Sequence, residues 1–118
     1  MPNTAISLIN LAENAGTDVE TRTTIVHANT WSIDLNGVHS KKVIFHVLNT
    51  TVGAKNIIVN AGDVGAESAL GSLTVAVGAS TGEKILILSS SRFADSSGKI
   101  TGTVEANMTG TFAAYVLP

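Results

Sequence analysis

Three histidines, His27, His39 and His46, are the only imidazoles in this chain and its first candidates to bind a metal through nitrogen. A zinc site needs ligands that converge, usually with local spacing such as His-x3-His, and these three do not supply it. The chain has no cysteine, which removes disulfides, thiolate metal sites and a Cys nucleophile. In a strand His46 faces away from its neighbours Phe45 and Val47, so it reads as a structural or surface histidine. Asp34-Leu35-Asn36-Gly37 begins like a calcium loop, but no glutamate follows at the EF-hand spacing, and it reads as a turn. Asp63, Glu67 and Asp95 are loop carboxylates for which a bound cation is a minor reading. No metal site and no cofactor is expected.

Hydrolytic chemistry fares no better. Serines are plentiful, but none sits in a Gly-x-Ser-x-Gly elbow, and Ser89-Ser90-Ser91 reads as a polar turn after a strand. Gly78-x3-Gly82 lacks the Lys-Ser ending and the following helix of a phosphate-cradling loop. Paired carboxylates for glycoside hydrolysis need a cleft that short loops do not build. The expectation is a protein that is not an enzyme.

The elements that would position any site are short β segments separated by glycine turns. Residues 42–48, 56–60, 73–77, 85–88, 100–105 and 111–117 are rich in β-branched and aliphatic residues. Upstream, residues 21–27 read as a strand. Trp31, Ile33 and Leu35 alternate onto one face, and Asn36-Gly37 suits a tight turn. Residues 61–72 read as a loop with one helical turn near 66–70. Residues 90–95 make a single turn, and 100–105 with 111–117 are expected to form a hairpin. The pattern predicts an all-β fold, an antiparallel sandwich of jelly-roll type with eight or nine short strands. Its domain occupies residues 12–118. Residues 1–11 form an N-terminal arm or edge strand. Expected core positions are Ile44, Val47, Ile58, Leu73, Val75, Ile85, Ile87, Val104, Phe112 and Val116.

Composition narrows the partners. At 118 residues the chain suits one domain able to fold without staples. Net charge is −2 and 14% of residues are charged, so no basic stripe awaits nucleic acid. No apolar run approaches the ~20 residues of a membrane helix. Met1-Pro2-Asn3-Thr4 lacks the cationic region of a signal peptide, and synthesis in the cytoplasm without export is expected. With 44% hydrophobic residues and few charges, apolar surface that pairs with other copies or with a partner is one reading; a well-buried sandwich is the other.

The order of pieces across residues 40–118 resembles the head-decoration, or capsid-cement, proteins of tailed bacteriophages. The pieces are Val47-Leu48-Asn49, a small-residue turn, the strand at 56–60, Leu73-Thr74-Val75-Ala76-Val77-Gly78-Ala79, and Gly82-Glu83-Lys84. They end with Arg92-Phe93-Ala94-Asp95, Gly98-Lys99-Ile100, and Gly110-Thr111-Phe112-Ala113-Ala114-Tyr115-Val116. Asn14-Ala15-Gly16-Thr17 is also similar to that group, and residues 62–71 depart from it. The resemblance implies a viral structural protein on the outside of a virion, a homotrimer that contacts the major capsid protein and stabilises neighbouring capsomers. In that setting Ile6, Leu8, Ile9 and Leu11 of the arm are interface candidates, adding a strand to a neighbour's sheet. Two alternatives stay open: a carbohydrate-binding module, for which Trp31 or Tyr115 would have to be exposed, and a tail or fibre accessory protein.

Overall fold

The computed structural model describes residues 2–18, 22–36 and 42–117. Its strands are β1 (Asn3–Ile6), β2 (Leu8–Asn10), β3 (Thr23–Thr24), β4 (Thr30–Asp34), β5 (Val43–Asn49), β6 (Lys55–Val59), β7 (Leu73–Val77), β8 (Gly82–Leu88), β9 (Lys99–Val104) and β10 (Gly110–Val116). A 3-10 turn at Ala66–Leu70 and the single-turn helix α1 (Ser90–Phe93) complete the described elements. The expected all-β sandwich forms, with single helical turns where the sequence places them.

Two sheets make up the sandwich. The first has the order β1-β4-β9-β6-β7; the second has β2-β10-β5-β8, with β3 also lying along β10. Among these strands only β6 and β7 are both consecutive and paired, so most connections cross from one sheet to the other. This overturns the hairpin expected for 100–105 and 111–117: β9 pairs with β4 and β6 in one sheet, and β10 pairs with β5 in the other. The expected antiparallel pairing holds through the middle of both sheets. At one margin it does not: β1 runs parallel to β4 and β2 parallel to β10. The N-terminal segment is therefore one extended stretch that leaves the first sheet at Ser7 and enters the second at Leu8.

Each inner face follows from period-2 alternation. In β5, Val43, Phe45, Val47 and Asn49 are buried, while Ile44, His46 and Leu48 are half-buried on the other face. Trp31 lies 4.9 Å from Phe45 and 5.9 Å from Phe112, centroid to centroid, and Phe45 lies 5.4 Å from Phe112. This aromatic cluster joins the sheets. The indole N–H of Trp31 donates to the Thr103 carbonyl at 3.3 Å, which meets its polar need inside the core.

The core differs from expectation by strand phase. Val47, Phe112 and Val116 are buried as expected. Leu73, Val75 and Val104 are partly buried against the core. In β6 the buried pair is Ile57 and Val59, with Ile58 half-buried, and in β8 it is Leu86 and Leu88. Ile85 and Ile87 are instead 65% and 59% exposed, and Ile44 is only half-buried.

Gly102 is needed where Trp31 crosses β9. The two residues face each other in register, and a Cβ at 102 would run into the indole ring and the Ile58 carbonyl. Gly102→Ala is expected to cost about 1–3 kcal/mol by overpacking. A thermal melt should show this as a Tm lower by roughly 4–12 °C. An unchanged Tm would mean that both the Trp31 ring and the β6 backbone at Ile58 give way freely.

Candidate functional site

The outward faces of β10, β5 and β8 form one surface. Register sets Tyr115, Ile44 and Ile87 in one row, and Ala113, His46 and Ile85 in the next. Thr111, Leu48 and Glu83 make the third row, and Ile9 of β2 extends the first beyond Tyr115. These residues point outward because their strand neighbours Phe45, Val47, Leu86, Leu88, Phe112 and Ala114 fill the core. Three seven-residue strands span about 14 by 23 Å, a footprint of roughly 330 Å². Within it Glu83, Ile85 and Ile87 are exposed, Ile44, His46, Leu48, Thr111 and Tyr115 are half-buried, and Ala113 is buried. Apolar patches of about 300–600 Å² are the largest on a typical monomer and are often functional.

Polar groups on this face are few and specific. His46 Nε2 and Glu83 Oε1 are 2.8 Å apart, with the imidazole 14% and the carboxylate 57% exposed. The other imidazole nitrogen, Nδ1, and the Thr111 hydroxyl are buried without a hydrogen-bond partner among the described residues. The glutamate therefore fixes the ring's orientation from one side only. The face offers apolar contact framed by one oriented imidazole.

The arm residues proposed as an interface sit within the fold. Ile6 is 3% exposed and belongs to the core, so it is withheld from any partner. Leu8 is partly buried against the same core. Ile9 is half-buried opposite Tyr115, and the Leu11 amide donates to the Val116 carbonyl at 2.9 Å. An open cleft of about 290 Å³ lies where the arm changes sheets, lined by Ala5, Ile6, Ser7, Leu8, Asp34 and Asn36.

The remaining candidates take structural places. Asp34 Oδ1 accepts from the Asn36 amide at 2.9 Å; Gly37, the second residue of the expected turn, and His39 lie outside the described residues. Asp95 Oδ1 accepts from the Ser97 and Lys99 amides at 2.9 and 3.0 Å. Asp63 and Glu67 are exposed, and among the described residues no group of three His, Asp or Glu gathers. His27 is exposed. Trp31, at 1% exposure, is not a sugar platform; Tyr115 is half-buried on the outer face. In comparisons with known proteins, this chain matches no family model, no curated protein and no solved structure.

Proposed function

We propose that this protein is a virion structural protein that docks on the outside of a phage capsid through the outer face of its second sheet. The observation that carries the reading is the exposure of Ile85 and Ile87, in register with Ile44 and Tyr115. The turn order that resembles head-decoration proteins supplies the partner. Size argues that one face acts with others. At roughly 330 Å² it falls below the ~800 Å² per partner of a standard stable interface. Copies engaging equivalent sites together gain avidity without new contacts.

The test is binding to purified heads lacking the protein. Ile85→Lys and Ile87→Lys together place two charges on the face and remove apolar area of about 1–2 kcal/mol each. Binding should weaken by roughly tenfold or more. The melting temperature should hold, because neither side chain is in the core. Full binding by the folded double variant would defeat this docking face. Retention of wild-type protein on a glycan array, with none on heads, would favour the carbohydrate reading instead.

A further inference from the structure

Each sheet ends in two edge strands, β1 and β7 in the first and β2 and β8 in the second, and β8 is the longest of the four. Among the described residues, β8 pairs with β5 alone. Its seven residues pair with β5 without interruption, from Gly82 opposite Asn49 to Leu88 opposite Val43, so no bulge bends it away. It contains no proline, and its charges, Glu83 and Lys84, both lie near its start. Natural sheets guard open edges with charges, prolines, bulges or a covering segment. From Ile85 to Leu88 this edge has no charge, proline or bulge, and no further strand pairs with it among the described residues.

We propose that the occupant of this edge is a second copy of the chain, adding its own β8 antiparallel to the first. The side chains select the register. Centring the pair on Leu86 sets Ile85 opposite Ile87 of the partner subunit, and Ile87 opposite Ile85 of the partner subunit. That gives two β-branched cross-strand pairs on the outer face. It also sends Glu83 and Lys84 of each copy to opposite ends of the ladder. The same register sets Lys84 opposite Leu88 of the partner subunit and Glu83 opposite Ser89 of the partner subunit. Centring on Ile85 would set Glu83 against Ile87 of the partner subunit and leave one isoleucine pair instead of two, and centring on Lys84 would set two lysines against each other. Sliding the centre to Ile87 would leave Ile85 opposite a serine. A shift by half a step would turn the partner's sandwich to the other side of the sheet.

The pairing joins two five-stranded sheets into one of ten and makes their outer apolar faces continuous. It is isologous and closes as a two-fold dimer. The three-fold arrangement implied by the family resemblance would need β8 to meet a different edge of the next copy. Seven residues are fewer than the 20–30 per side of a standard interface, so the free protein is a monomer when dilute and pairs on concentration. The inference stands on the edge itself and does not depend on docking to a capsid.

Sedimentation velocity from about 10 μM to about 1 mM spans the range of weak association and should show a monomer passing to a dimer. Ile85→Lys should abolish that shift, whereas Leu70→Lys, an equally exposed position on the 3-10 turn, should not. Because the chain has no cysteine, introduced thiols report the register directly. An equimolar mixture of Ile85→Cys and Ile87→Cys, one carrying a size tag, is oxidised gently. Opposed residues lie about 4.5–5.5 Å apart at Cα, within disulfide reach, whereas diagonal ones at about 7–8 Å are not. The 85–87 cross-disulfide should therefore exceed both self-disulfides several-fold. A monomer at every concentration, a trimer, or a random mixture of disulfides would overturn the edge pairing.

Discussion

Removing residues 1–11 is expected to unfold the protein rather than only to weaken its binding. The segment supplies β1, in register with β4 over four residues, and β2, in register with β10 over three. Ile6 is buried in the shared core, and Leu8 packs against it. Polar ties reinforce the seam: the Asn3 amide donates to Ser32 Oγ at 2.8 Å, Asn29 donates to Thr4 Oγ1 at 3.0 Å, and the Thr30 amide donates to the Pro2 carbonyl at 3.1 Å. Burying an isoleucine is worth about 1.5–3 kcal/mol, and each ladder hydrogen bond about 1 kcal/mol net. The sum of these losses exceeds about 5 kcal/mol, comparable with the whole stability of a small domain. Urea titration followed by the fluorescence of Trp31, the single tryptophan, reads this directly. A truncated protein with an unchanged midpoint would restore the view of residues 1–11 as a free arm.

Asn49→Asp should be nearly as damaging, though it changes one amide to a carboxyl. Asn49 has no exposed surface. Its Nδ2 donates to the carbonyls of Gly53, Val77 and Gly78 at 3.1, 3.2 and 3.0 Å, and its Oδ1 accepts from the Thr51 amide at 2.9 Å. One side chain thus holds the turn after β5 to the connection between β7 and β8. An aspartate there would lose the donors and face three carbonyl oxygens with a buried charge. An uncompensated buried charge costs about 3–5 kcal/mol. The cost carries a pH signature. Burial and the facing carbonyls raise the folded-state pKa of the new carboxyl above its unfolded value of about 3.9. The variant is then closest to wild type below about pH 4 and loses stability as pH rises through the raised value. Denaturation midpoints of both proteins between pH 3 and 7 check the sign. A deficit that shrinks as pH rises would refute the assigned amide orientation.

Strand existence was legible from the sequence, and strand phase was legible only where polar residues mark it. Trp31, Ile33 and Leu35 alternate with Ser32 and Asp34, and all three are buried as expected. Ile57-Ile58-Val59 and Ile85-Leu86-Ile87-Leu88 carry no such mark, since either phase buries aliphatic carbon. Before Ile85, Glu83 and Lys84 put one charge in each phase and cancel as a signal. That ambiguity assigned Ile85 and Ile87 to the core and hid the outer face on which the proposed function rests. Pairing across the sandwich was hidden for another reason. Asn107 to Gly110 looks like a hairpin loop, yet β9 pairs with β4 and β6 in one sheet and β10 with β5 in the other, all strands distant in sequence. The arm's parallel docking leaves no local trace, since its partners lie far along the chain.

That last feature has a bearing on biosynthesis. Leu8 and its partner Ala114 are separated by 106 positions of chain (114 − 8). At a synthesis rate of about 5–20 residues per second, β2 waits several seconds or more for its place in the second sheet. The second sheet therefore cannot close on β2 until Ala114 has been synthesised. Until then the uncovered margin of β4 and the apolar face of the first sheet are exposed to other nascent chains. Folding yield should thus depend on how crowded translation is, more than on how stable the finished protein becomes.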